Sequence, residues 1–164
     1  MQNKISEVRH YLQTLVVQGG PGVGDYEKFT CFLADLAASK SAGLISDEKM
    51  HELLRELGDP MTPQTMQGLA FTKPHGYAGD YEIIDRIYQH WISPSTQLAK
   101  WDYYFHAQAA PKAVRARKKY FQDWLTSREG TIEQANFRLL DIASGSARDV
   151  FEYFSKKPRH KSVG

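Results

Sequence analysis

Apolar side chains recur every three or four residues along most of the chain, which is the spacing of an amphipathic α-helix. In the first such segment, residues 3–18, the apolar positions are Ile5, Val8, Leu12, Leu15 and Val16. The same spacing predicts further helices over 26–39, 46–57, 62–70, 81–90, 96–108 and 112–127. We therefore expect residues 1–130 to form a helical N-terminal domain.

Short polar residues mark where three of these helices begin. Ser46, Thr62 and Asp80 each precede an apolar periodic segment. Their side chains can accept hydrogen bonds from the free backbone N–H groups of a first helical turn. Pro63 strengthens the assignment at Thr62, because proline is favoured at the first helical position. Gly58 is predicted to end the helix that starts at Ser46.

The pattern changes after residue 127. Residues 128–136 are polar and are predicted to be a linker, and 137–142 form the one segment typical of a strand. A turn at 143–146 and a helix at 147–154 follow. A single strand cannot pair its own backbone groups, so we expect either an incomplete domain or pairing with a second copy in a homodimer. The predicted fold class is mainly α, with the start of an α/β domain at 137–164.

Composition and charge narrow the choice of partners. The 164 residues are 41% hydrophobic and 24% charged, and the net charge is +2. This charge gives no strong attraction to nucleic acid, and no apolar run approaches the length of a membrane span, so we expect neither partner. The histidines show no metal-binding spacing. The single cysteine, Cys31, is expected to be buried in a cytoplasmic protein.

The segment 138–150 is the first with a chemical signal. Small residues after a strand let a backbone approach a ligand closely, and the N–H groups that open the next helix can donate to a carboxylate. Asp141, at the strand end, can hold an amine. An ordinary strand, turn and helix without a ligand stays open as the alternative.

This segment resembles motif I of class I S-adenosylmethionine (SAM) dependent methyltransferases. Asp141 takes the acidic position and Gly145 the central glycine, while Ala143 and Ala147 stand where the family usually has glycines. The resemblance implies SAM as cofactor, with Asp141, Ala143, Gly145 and Ser146 in its site. It also implies that residues 137–164 begin a Rossmann-like domain that is truncated, because the remaining strands would lie beyond Gly164.

The loop at 73–80, Lys-Pro-His-Gly-Tyr-Ala-Gly-Asp, is more distinctive. It resembles a signature of bacterial methyltransferases associated with 3-hydroxypalmitic acid methyl ester biosynthesis, and the likeness covers roughly residues 70–155. It implies a hydroxy-fatty acid or another small carboxylate as methyl acceptor. Gly76 permits a sharp turn beside a ligand, and Tyr77 offers a ring to stack on adenine. Both are therefore candidate cofactor-binding residues.

A basic helix supplies candidates for the acceptor site. Its five basic residues are Lys112, Arg115, Arg117, Lys118 and Lys119. They could form a solvated face, or Arg115 or Arg117 could turn inward and orient a carboxylate. His106 is the candidate general base. A nucleic-acid binder is the weaker alternative, and a non-catalytic helical interaction or dimerisation module is the stronger one. We expect this chain by itself to be inactive.

Overall fold

The computed structural model describes residues 2–76, 80–129, 138–142 and 145–157, with the side chains of 5–76, 80–128, 138–142 and 145–157. Regular structure in these residues is helical throughout. The helices are α1 (Gln2–Val17), α2 (Tyr26–Ser41), α3 (Asp47–Arg55), α4 (Met66–Thr72), α5 (Tyr81–Gln89), α6 (Ala99–Ala107), α7 (Ala109–Glu129) and α8 (Arg148–Ser155). Short 3-10 helices occupy Val23–Asp25 and Asp59–Met61. Each predicted helix is confirmed, with ends that differ by a few residues.

Two of the three predicted caps are confirmed. The Ser46 hydroxyl accepts from the Lys49 amide at 3.2 Å, and the Asp80 carboxylate accepts from the Ile83 amide at 3.0 Å. The cap predicted at Thr62 is wrong, since α4 begins four residues later. The Thr65 hydroxyl caps it instead, accepting from the Gly68 amide at 3.0 Å.

Two apolar cores hold the helices together. The first joins α1, α2, α3 and α6 and consists of Val8, Leu12, Leu15, Phe29, Leu36, Ile45, Met50, Leu53, Leu57, Leu98, Trp101 and Tyr104. The second joins α4 and α5 through Met66, Leu69, Ile83 and Ile87. Phe105 packs against this second core. Helix α6 therefore belongs to both cores and links them.

A fully buried carboxylate, Asp102, ties α6 to two neighbouring segments. Its oxygens accept from the backbone amides of Met66 and Ser93, both at 2.7 Å. Burial raises the pKa of Asp102, and the two amide bonds oppose that shift. The backbone at Gly68 lies close to the backbone at Thr62, since a Cβ on Gly68 would lie 1.9 Å from the Thr62 carbonyl oxygen. The start of α4 is thus fixed on one side by Asp102 and on the other by residues 59–65.

The strand expected at 137–142 is not seen in its described part, 138–142, which has no regular structure. Leu140 and Ile142 are 82% and 80% exposed. Strand geometry needs a paired neighbour, and none of the described residues supplies one. Helix α8, by contrast, packs on α5 and α7 with Tyr153 buried.

The last two features of the fold concern Cys31 and the length and apolar character of the helices. Cys31 is exposed on α2, so its predicted burial is wrong; the buried positions of that helix are Phe29, Leu36 and Ser39. None of the described helices has both the length and the apolar character that a membrane span requires.

Candidate functional site

The turn before α8 lies against the start of α5. A Cβ on Gly145 would stand 3.6 Å from the Tyr81 Cβ, and the Ser146 side chain hydrogen bonds to Asp85. The loop 73–80 leads directly into Tyr81. The turn before α8 therefore lies beside α5, at the residue that directly follows the 73–80 loop; we call this place the α5–α8 junction.

An ion pair fixes the junction. The Arg148 guanidinium at the start of α8 binds both oxygens of the Asp85 carboxylate, with Nη2 3.1 Å from Oδ2. This pairing lowers the pKa of Asp85 more than its partial burial raises it. A second pair, Lys118 to Glu152 at 2.7 Å, joins α8 to α7. The position of α8 thus depends on charged residues of two other helices.

The backbone at the junction is left-handed at two positions. Gly145 has φ +59° and Ala147 has φ +49°. Glycine adopts this region at no steric cost, whereas alanine adopts it at a cost of roughly 1 kcal/mol. Ala147 also precedes the first residue of α8. The chain therefore takes a glycine-type conformation at a position where it carries alanine.

The candidate cofactor residues have different surroundings. Gly76 has φ +83°, and no atom of the described residues, its chain neighbours apart, lies within 4 Å of the place where its Cβ would be. Asp141 is exposed, and Ser146 is half-buried. Tyr77 and Ala143 lie outside the described residues. Asp80 is buried and caps α5, so its carboxylate is engaged within the fold.

No protein-family model, no curated protein and no solved structure matches this chain.

The candidate base His106 is 2% exposed and hydrogen bonds through both ring nitrogens. Nε2 donates to the Trp91 carbonyl oxygen at 2.9 Å, and Nδ1 accepts from Arg115 Nη1 at 3.0 Å. A carbonyl only accepts and a guanidinium only donates, which fixes this tautomer of a neutral imidazole. Burial lowers the pKa of His106 to about 4. The one lone pair that could take a proton is therefore already bound.

Arg115 is held at the same place. Besides Nδ1, it contacts the His106 carbonyl oxygen through Nη2 at 2.9 Å. The ring of His90 stacks on that of His106, with centroids 4.3 Å apart. Burial, aided by the Arg115 charge, lowers the pKa of His90 as well. Arg115 has turned inward, and its contacts are with the protein's own histidine.

The other basic side chains of α7 differ in their surroundings: some are exposed, and some contact neighbouring residues. Lys112, Arg117 and Lys119 are exposed. Arg117 reaches the Tyr88 hydroxyl at 3.4 Å, and Lys118 donates to the Tyr88 carbonyl oxygen at 3.0 Å. The predicted solvated face therefore accounts for only some of these five basic residues.

Asp85, Arg148 and Asp102 position the junction and α6, and sequence reasoning missed all three. Asp85 and Arg148 carry no local signal because they pair across 63 positions. Asp102 does carry one: it is a lone acidic residue between Trp101 and two tyrosines. A carboxylate in such a run is either exposed or bonded inside the fold. In the described residues, no group of three or more His, Cys, Asp or Glu side chains could hold a metal ion.

Proposed function

We propose that this chain is the N-terminal part of a SAM-dependent methyltransferase and that it binds SAM at the α5–α8 junction. The observation that supports the proposal is that the turn at Gly145 lies beside Tyr81, the residue that directly follows the 73–80 signature loop. Nothing in the spacing of either segment required this proximity. A shared ligand site gives a reason for both signatures and for their proximity.

The hydrogen-bonding groups of these segments suit the methionine end of SAM, which carries an ammonium and a carboxylate. Asp141 is exposed, so its carboxylate can accept from an ammonium group. Helix α8 begins at Arg148, and the N–H groups of its first turn favour a negatively charged group. Gly76, on the loop that precedes α5, has no described residue, its chain neighbours apart, within 4 Å of the place where its Cβ would be. Bound there, SAM would supply a methyl group already activated on a sulfonium.

The methyl acceptor we propose is a hydroxy-fatty acid or another small carboxylate. Arg117 is the arginine suited to orient it, because its guanidinium is exposed and makes one long contact with Tyr88. Arg115 and His106 bind each other instead. We therefore expect this chain to bind the methyl donor and to catalyse no methyl transfer by itself.

Calorimetric titration with SAM and with S-adenosylhomocysteine tests the proposal. We expect saturable binding in the micromolar range, reduced at least tenfold in Asp141→Ala because the ammonium loses a charged partner. Asp123→Ala is the matched control, since that exposed carboxylate on α7 pairs only with Lys119 among the described residues. Absence of binding, or equal loss in both variants, contradicts the proposal.

A second candidate function is a dimerisation module. It is favoured by four exposed apolar side chains near the C-terminal end of the described residues, Leu140, Ile142, Phe151 and Phe154, each between 45% and 82% exposed. Burial of such side chains against a second copy would remove apolar surface from water.

Sedimentation analysis tests this candidate with two aspartate variants. Phe151→Asp is expected to weaken a homodimer at least tenfold because it would bury a charge in the interface. Val17→Asp, at an exposed apolar position on α1, should leave it unchanged. A monomer at every concentration excludes the module as a homodimer.

A further inference from the structure

A large apolar cavity lies in the first core, between α2, α3 and α6. Its volume is about 530 Å³, within the range of pockets that bind small molecules. At the roughly 30 Å³ that one water occupies in the liquid, it holds up to about 18 non-hydrogen atoms. Its walls include Leu33, Leu54 and Met61, which pack against the core but are only partly buried.

The exposed residues of the wall mark the mouth of the cavity. Thr30 and Ala34 stand one turn apart on α2, and both are exposed. The Thr30 hydroxyl is 3.0 Å from the Tyr104 hydroxyl, so a polar pair lies beside this opening. A ligand can therefore enter from solvent along α2 without unfolding the core.

The wall carries polar groups but no charge. None of its side chains is ionic. Its polar groups beside the opening are the hydroxyls of Thr30 and Tyr104, which share one hydrogen bond. Two hydroxyls that share one hydrogen bond keep one donor hydrogen and free lone pairs, so the pair can still donate to and accept from a ligand.

We propose that this cavity binds a neutral amphiphile: an aliphatic or aromatic body in the apolar interior with a single uncharged polar group, such as a primary amide, at the Thr30–Tyr104 hydroxyl pair. The hydroxyl pair can both donate and accept, and so can a primary amide, so the two complement each other. An ionised head group is disfavoured because no cation in the wall compensates its desolvation. This site is separate from the α5–α8 junction and does not depend on the methyltransferase proposal.

Displacement of a fluorescent probe tests the proposal on the whole chain. N-phenyl-1-naphthylamine is neutral and of suitable size, so its emission should rise on binding. Decanamide should displace it at least tenfold more effectively than decanoate, which has the same chain length but an ionised head. Equal displacement by the two, or stronger displacement by decanoate, overturns the neutral-ligand inference. Lack of any probe binding overturns the site itself.

Variants locate the site and the polar contact. Ala34→Phe fills the mouth and should weaken probe binding at least tenfold; Ala37→Phe, also exposed on α2 but off the wall, should not. Tyr104→Phe should weaken decanamide about tenfold and leave the probe unaffected, since one hydroxyl is lost and the ring is kept. Circular dichroism shows whether each variant is folded. Equal effects of Ala34→Phe and Ala37→Phe, or unchanged decanamide affinity in folded Tyr104→Phe, contradict the assignment.

Discussion

At the scale of single residues, the environment of His106 determines its chemistry. The side chain is neutral because burial disfavours the imidazolium and because the Arg115 guanidinium occupies Nδ1. A general base needs a free lone pair, and the His106 ring has none in this arrangement. The geometry instead suits a residue that joins α6, α7 and the segment after α5 through one ring.

The low pKa of His106 makes stability depend on pH. The unfolded chain binds a proton near pH 6.5 and the folded chain only near pH 4, so the unfolded state holds more protons between these values. The free energy of unfolding should therefore fall as the pH falls from 6.5 towards 4, by about 3 kcal/mol at most. His90, whose pKa is also lowered, acts in the same direction.

Urea unfolding at pH 7, 6, 5 and 4 measures this dependence. We expect His106→Gln to flatten the slope between pH 6.5 and 4, while His10→Gln, an exposed position on α1, keeps it. An identical slope in wild type and His106→Gln shows that another group causes the loss.

The left-handed pair at the junction gives a second prediction. Gly145→Ala should lower the free energy of unfolding by about 1 kcal/mol, because alanine resists φ +59°. Ala147→Gly should raise it by up to about 1 kcal/mol, because it relieves the same strain at φ +49°. Thermal melts measure both. Destabilisation of similar size in both variants is incompatible with this backbone geometry.

At the scale of elements, local signals were predictable and distant pairings were not. Asp80 and Ser46 cap through contacts three residues away, so sequence alone identified them. For α4, both Thr62 and Thr65 are residues that can cap a helix. The close packing of Gly68 on the turn at Thr62 favours Thr65, so the helix begins at Met66. Helix α8 was predicted as the helix that follows the turn at 143–146. The packing of α8 on α5 was not predicted, because no local pattern around Asp85 indicates that it pairs with Arg148.

The contribution of the Asp85–Arg148 ion pair to the packing of α8 on α5 can be tested by removing the Asp85 carboxylate. Asp85→Ala deletes the ion pair with Arg148, which is partly buried and contributes on the order of 1 kcal/mol. Amide exchange in 148–155 should then quicken about fivefold, while exchange in α1 and α2 stays unchanged. Asp123→Ala, which removes the exposed pair with Lys119, is the control. Unchanged exchange in 148–155 after Asp85→Ala means that Tyr153 and Lys118 hold the helix without it.

At the scale of the whole molecule, α6 connects the two apolar cores, the cavity and the start of α4. Trp101 and Tyr104 face the first core and its cavity, Phe105 faces the second core, and Asp102 fixes the start of α4. The helical class follows from the hydrophobic spacing. The cavity does not, since a void depends on how side chains from distant helices fit together.

We propose that residues from the two signature segments form one SAM site. Hydrogen–deuterium exchange of the full chain, with and without S-adenosylhomocysteine, tests it most directly. We predict protection in peptides that contain Gly76 and Tyr81 and in those that contain Gly145 and Ser146, and loss of that protection in Asp141→Ala. Protection confined to one segment, protection elsewhere in the chain, or none at all would contradict the claim.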